Sequence, residues 1–245
     1  MRWAVQRQLF IALLILGFFG MLAAGGWYVF LYAPPSCTDG IINQDEEGVD
    51  CGGVCKLLCQ APRVSALWSR AVLIAPGVYH AVALVRNPEA SAGTERLPYI
   101  FSVFDEKNIL IATREGVMRL DPGEIAPLFE PNIITGDRIP VRTFVTLGEA
   151  IWKETERNDV SVRVVSQSLD VEARRVSATV ENTTAVPILN VTLTALLYDA
   201  DGILITASRT TLDQLGARER RDATFTWQVP FERTIARTDI IAREQ

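Results

Sequence analysis

Histidine occurs once in this 245-residue chain, at His80, and cysteine is absent outside residues 37–59. A Ser-His-Asp site would have to recruit that one histidine, yet no G-x-S-x-G nucleophile elbow is present. P-loop, G-x-G-x-x-G and H-E-x-x-H patterns are missing too, and with them the phosphate-cradling and zinc-protease readings. His80 is therefore read as an ordinary residue of a strand over 78–86, and the chain as no enzyme. The remaining catalytic alternative is a pair of carboxylates meeting in a cleft, which sequence spacing does not expose. A basic excess is also lacking. The formal net charge is −5, so no strongly basic face is on hand to displace counterions from a polyanion, and nucleic acid is excluded as a partner.

Charge itself disappears near the N-terminus. From Gln8 to Thr38 there is no Asp, Glu, Lys, Arg or His. Residues 9–32 are apolar, and at about 1.5 Å per residue they give roughly 36 Å of helix, enough for a hydrocarbon core of about 30 Å. A transmembrane helix is expected there. Arg2 and Arg7 put residues 1–8 in the cytoplasm, and Trp27, Tyr28 and Tyr32 suit the outer aromatic belt. Everything beyond Pro34 is then extracytoplasmic. A cleaved signal peptide ending at Ala23-Ala24-Gly25 is the rival. Signal cores are usually about 7–15 residues, and apolar residues here continue to Leu31, which favours an uncleaved anchor. Gly20 and Ala24 form a small-xxx-small pair able to pack on another helix.

Residues 33–63 form a cysteine-rich acidic module. Cys37, Cys51, Cys55 and Cys59 are an even, clustered set in an oxidising compartment, which reads as two disulfides with three pairings open. Structural zinc competes, but the C-x2-C knuckles that usually hold it are absent, and no C-x-x-C supports redox work. Over residues 39–50 lie seven oxygen-bearing side chains that suit a hard cation such as calcium. They do not fit an EF-hand, because Ile41 and Gln44 stand where a ligand and the invariant glycine belong. The alternative is a solvated turn whose Asp and Asn side chains hold their own backbone.

The run from Cys37 to Cys55 resembles the C-x-D-G-x-x-N-x-x-E-x-G-x-D-C-G-G-x-C module of bacterial cell-surface proteins. That resemblance selects Asp39, Asn43, Glu46 and Asp50 as the calcium candidates. The spacing before Cys59, Lys56-Leu57-Leu58, is one residue longer than the pattern.

Beyond the module, period-2 runs of β-branched and aromatic residues dominate. Over residues 190–198, Val191, Leu193, Ala195 and Leu197 fall on one face, with Thr192 and Thr194 on the other. Asp199-Ala-Asp-Gly202 then makes a tight turn in which Gly202 supplies a positive φ, and a strand follows over 203–210. The arrangement occurs once earlier, with Phe104-Asp105 matching Tyr198-Asp199 and Asn108 matching Gly202. Asn is the next best residue for a left-handed position. Ala83 to Asn87 parallels Ala178 to Asn182, and Leu120 to Glu124 parallels Leu215 to Glu219. This is an internal repeat of two immunoglobulin-like β-sandwiches, 64–152 and 160–245, with 153–159 as a charged linker. The second copy resembles the small extracytoplasmic sandwiches marked by Phe-x-Leu-Tyr-Asp, related to the late-embryogenesis type. Here the motif reads Ala195-Leu-Leu-Tyr-Asp199, and the resemblance implies a non-enzymatic domain. Arg218, Arg220 and Arg221, interleaved with Glu219 and Asp222, read as a solvated loop. Asn182 and Asn190 begin glycosylation sequons.

The fold expected is mainly β: a transmembrane helix, a disulfide-bonded module and two tandem sandwiches. The function expected is a non-catalytic interaction or assembly component of a cell-envelope or surface complex, held in the membrane and partnered by other envelope or membrane proteins. A calcium sensor or spacer carrying passive sandwiches, and a receptor for an external ligand, are the alternatives. The sequence fixes no oligomeric state.

Overall fold

The computed structural model describes residues 2–30, 36–43, 45–156 and 161–244. Residues 1–55 and 56–245 are two separate compact units. In the first, helix α1 spans Arg2–Phe30. It starts earlier than the apolar run because nothing between Arg2 and Gln8 breaks a helix. The expected end at Leu31 and Tyr32 lies outside the described residues. Apolar side chains such as Leu9, Phe10, Leu16, Phe19 and Met21 are exposed all along it, and Gln6–Val29 is long and apolar enough to cross a membrane.

The second unit is mainly β and holds both sandwiches. The first is built from β1 (Ser65–Ala75), β2 (Val78–Arg86), β3 (Ala92–Phe104), β4 (Leu110–Leu120), β5 (Ile125–Ile134), β6 (Arg142–Leu147) and the short β7 (Lys153–Glu154). The second contains β8 (Val162–Asp170), β9 (Arg175–Asn182), β10 (Ile188–Tyr198), β11 (Leu204–Leu215), β12 (Arg220–Thr226) and β13 (Arg237–Glu244). Sheet β1-β2-β5 faces sheet β4-β3-β6 in the first, and β8-β9-β12 faces β11-β10-β13 in the second, all pairs antiparallel. Apart from β7, the two topologies are the same strand for strand. Each sandwich closes over its own core, around Val85, Phe101, Leu120 and Trp152 in one and Val180, Leu193, Leu197 and Phe225 in the other.

The repeat extends to individual hydrogen bonds. Asn87 and Asn182 are 1% and 0% exposed. Asn87 Nδ2 donates to the carbonyls of Ala92 and Asp121, and Asn182 Nδ2 to those of Val186, Leu215 and Gly216. Their backbone N–H groups donate to the Glu124 and Glu219 carbonyls, and those glutamates reach back to the N–H of Asp121 and Gly216. In the hairpins, Asp105 Oδ1 accepts from Lys107 and Ile109, and Asp199 Oδ1 from Asp201 and Ile203. Asn108 and Gly202 take φ of 61° and 75°, the left-handed turn residues the sequence pattern requires. Asn182, buried and bonded three times over, is no accessible sequon, whereas Asn190 is exposed.

Two expected boundaries move. Lys153 and Glu154 are not linker but strand β7, paired to Ala92 and Gly93 of β3. The segment after Cys55 joins the same edge: Leu57 bridges Lys153, Leu58 N–H donates to the Trp152 carbonyl, and Leu58 packs on the first core. Unpaired backbone at that edge finds partners on both sides, which outweighs the charge that marks the segment as a linker. Residues 157–159 of the expected linker lie outside the described residues.

The sandwiches also pack on each other. Trp68, Val72, Val82, Leu84 and Phe129 on the outer face of β1-β2-β5 meet Leu196, Tyr198, Leu204, Ala207 and Ile241 on the outer face of β11-β10-β13. Trp68 stands edge-on to Tyr198 with centroids 6.2 Å apart. At the rim, Arg243 makes a two-pronged ion pair with Glu124 at 2.7 and 3.1 Å and donates to the Arg119 carbonyl at 2.7 Å. Sheet β11-β10-β13 is therefore covered on both faces.

Because Asn87 and Asn182 each satisfy buried carbonyls, Asn87→Ala and Asn182→Ala should each cost about 2–4 kcal/mol. Denaturant unfolding of the detergent-solubilised chain measures this. Comparable losses at the two sites are expected; a loss confined to one would break the equivalence of the two corners.

Candidate functional site

The four motif residues of the cysteine module come together, but through the backbone. Asp50 Oδ1 accepts the N–H groups of Asp39 and Gly40 at 2.9 and 3.1 Å, and Oδ2 accepts Gly40 again at 3.0 Å. Asp39 accepts from the N–H of Ser36 and Ile41 and from Asn43 Nδ2. Glu46 Oε2 accepts the Asn43 N–H. These bonds, that from Ser36 first, hold the Asp39 carboxyl below the usual carboxylate range. The arrangement is a set of side-chain staples across a loop, the chemistry of the turn reading. Cys37 and Cys55 are disulfide-bonded, and Cys51 and Cys59 are likewise oxidised, leaving no free cysteine. Glu46 Oε1 lies 3.0 Å from Cys55 Sγ, and with both sulfurs spent in the bond this cluster offers no thiolate to a metal. Gly52 and Gly53, at φ of 71° and 58°, turn the chain between the cysteines. A Cβ on Gly53 would fall 1.9 Å from the Asp45 carbonyl oxygen, so that position accepts only glycine.

His80 sits beside the seam between the sandwiches. Its ring centroid is 4.7 Å from that of Phe129, over which the Arg209 guanidinium lies at 4.9 Å. Nδ1 accepts the Asn132 N–H at 3.2 Å, an acceptor role open only to the neutral ring. Burial, then the Arg209 charge, push its pKa down to about 4. The Arg218–Arg221 loop is tied down locally, with Arg221 on Glu219 and the Gln214 carbonyl and Arg220 on Glu181.

The surfaces missed by sequence reasoning are the outer sheet faces. On the first sandwich, sheet β4-β3-β6 presents Ile100, Leu110, Val117 and Phe144 at 40–54% exposure. Phe104 stands edge-on to Phe144 at 5.8 Å, and Glu115 and Arg142 flank them. On the second, sheet β8-β9-β12 presents Ser166, Ser177, Thr179, Asp222 and Thr224, with Glu181 between Arg163 and Arg220 at 2.7 and 3.3 Å. One outer face is apolar and the other polar. The signal for the covered faces was the unbroken apolar run over 81–85, which marks a strand buried on both sides. Between the sandwiches a cavity of about 250 Å³ is lined by Arg70, Tyr79, Leu204, Trp227 and Arg233, with Arg233 engaged by Asp199 at 2.7 Å.

No protein family matches the chain, and no curated protein matches it. Among solved structures it is similar to red sea bream transglutaminase, at 11% identity and a TM-score of 0.25, over 76% of this chain. The chain spans 31% of that protein's length, and a likeness this loose bears on neither fold nor activity.

His80 is neutral in the fold and charged in the unfolded chain between its folded pKa of about 4 and the ordinary 6.5. A depressed folded pKa means that stability is fully present above pH 6.5 and is lost as pH falls toward 4. Each tenfold step is worth about 1.4 kcal/mol, and solvent screening at the ring's exposed edge leaves roughly 1–2 kcal/mol of pH-dependent stability. His80→Gln should lose less stability than the parent between about pH 7 and about pH 4.5 in denaturant titrations. Identical pH slopes would remove the histidine from the account.

Proposed function

We propose that the chain is a single-pass membrane protein, N-terminus cytoplasmic, that serves as a non-catalytic interaction or assembly component of a cell-envelope or surface complex. The observation that carries this reading is α1, a 29-residue helix whose apolar side chains are exposed on every side. An apolar helix surface of this length is at home in lipid. Arg2 and Arg7 before the uncharged stretch favour the orientation. Oxidised cysteines next to the helix fit a compartment outside the cytoplasm. The likeness of residues 37–55 to a bacterial cell-surface cysteine module, and of residues 195–199 to the motif of non-enzymatic extracytoplasmic sandwiches, supports the same placement.

The interaction role rests on how the β body spends its groups. Its buried asparagines, its hairpin aspartates and the corner glutamates are engaged in holding turns, while an apolar sheet face is left at the surface. Exposed apolar faces of this kind mark association surfaces.

Fusion of alkaline phosphatase, active only outside the cytoplasm, to the C-terminus should give an active reporter, and a fluorescent protein that folds only inside should stay dark. The N-terminus of the mature protein should be intact. Affinity purification from gently solubilised membranes should recover a reproducible partner in calcium and in chelator alike. A dark phosphatase or a cleaved N-terminus would overturn the placement, and a chain that returns alone in both media would overturn the role.

A further inference from the structure

The internal repeat says what a face like the open one is for. In the second sandwich, the outer face of β11-β10-β13 is covered by the outer face of β1-β2-β5. Its repeat counterpart is the outer face of β4-β3-β6. The hydrogen-bonded registers equate Tyr198 with Phe104, Leu204 with Leu110, and Leu196 with Ser102. The counterpart keeps the aromatic and the leucine beside the hairpin, has Ser102, Thr113 and Thr146 for Leu196, Ala207 and Ile241, adds Ile100, Val117 and Phe144, and leaves Ile100, Leu110, Val117 and Phe144 exposed.

We propose that the β4-β3-β6 face docks an immunoglobulin-like β-sheet carried by another polypeptide, seated as β1-β2-β5 is seated on β11-β10-β13. The inference rests on the reading of the chain as an anchored interaction component and names its surface and partner class.

A second copy of this chain offers no free apolar sheet for that head-to-tail seating. Its own β1-β2-β5 face is already occupied. The repeat-equivalent face, β8-β9-β12, has each apolar contact replaced by a polar residue: Trp68 becomes Ser166, Val72 becomes Asp170, Val82 becomes Ser177, Leu84 becomes Thr179 and Phe129 becomes Thr224. Seating that polar face on Phe144 and Ile100 would desolvate hydroxyls and a carboxylate without partners. Head-to-tail growth of the chain on itself is thereby blocked.

Charge refines the partner. Where the covered face carries Arg209 above Phe129, the open face carries Glu115. The complementary sheet therefore places a basic side chain where Phe129 stands in the internal seam, and an aliphatic or aromatic cluster over Phe104 and Phe144. The neighbouring arginine is retained: Arg237, which lies over Tyr198 at 4.4 Å, has its counterpart in Arg142 beside Phe104.

The test places the photo-reactive amino acid p-benzoylphenylalanine at Phe144, and separately at Thr179, in the full-length chain in its native membranes. Irradiation should give an adduct from position 144 whose cross-linked peptide maps to a strand of a β-sandwich in another polypeptide, and none from 179. Glu115→Arg, an exchange on the surface that leaves the core untouched, should lower the yield about tenfold. Ile100→Asp should abolish it. An adduct with a second copy of the chain, with lipid, or with equal yield from both positions would overturn the proposal. A partner that co-purifies while position 144 stays unlinked would overturn this surface and leave the interaction role standing. A chain that purifies alone and forms no adduct would overturn both.

Discussion

The burial of one sheet face of each sandwich against the other is the constraint from which most of the molecule follows. It buries β10 on both sides. All residues over 191–198 are buried, with Leu193 and Leu197 in the second core and Leu196 and Tyr198 in the seam. Burying each of these large side chains contributes about 1.5–3 kcal/mol. Thr192 and Thr194, which share the seam side, are buried with them. The seam also sets the electrostatics beside it: His80 is neutral because it lies at the edge of an apolar interface next to Arg209.

The pair between Arg243 and Glu124 adds registration rather than strength. Both side chains are about four-fifths covered, and at that depth desolvation offsets much of the Coulombic gain. Glu124 also accepts the Asp121 N–H within its own corner. Its repeat counterpart Glu219 makes the same corner bond to Gly216 but turns its other oxygen to Arg221 on the same sandwich. The arginine each glutamate engages thus distinguishes a corner that only closes a turn from one that also ties two domains together. The duplicated frame repeats its corner and hairpin hydrogen bonds where it builds the sandwich, and differs where it meets a neighbour.

That distinction explains what could be read from the chain. Turn and corner chemistry is local, so Asn108, Gly202, Asp105 and Asp199 announce the repeat in the sequence, and the alternation over 190–198 locates a strand. The seam is a long-range property. Thr192 and Thr194 on the second face of β10 have the composition of a solvated face, and only the unbroken run at 81–85 hints otherwise. Lys153 and Glu154 carry the charge of a linker, yet an open sheet edge recruits them through backbone groups that side chains do not reveal. Gly116 is similarly silent: it lies in mid-strand opposite Tyr99 because an added Cβ would come within 2.3 Å of the phenol oxygen. In the cysteine module the acidic pattern was legible, but whether its oxygens face a cation or the backbone depends on loop geometry, and Asp50 is aimed at the N–H groups of Asp39 and Gly40.

Two copies joined through unlike faces leave one face of each type unused, and nothing in that geometry closes on itself. A repeat built this way must either grow, or be capped where it ends. The β8-β9-β12 face is capped: serines and threonines occupy the positions at which the first copy carries Trp68, Val82, Leu84 and Phe129. On the β4-β3-β6 face the exchange is partial, with Ser102, Thr113 and Thr146 at the positions of Leu196, Ala207 and Ile241. Phe104 and Leu110 persist there, and Phe144 stands where the covered copy has Asp239. A face selected only for solubility would have lost its aromatics, as its opposite number did. Retaining Phe104 and adding Phe144 costs solubility, and the cost is offset only if that face, too, is withdrawn from water.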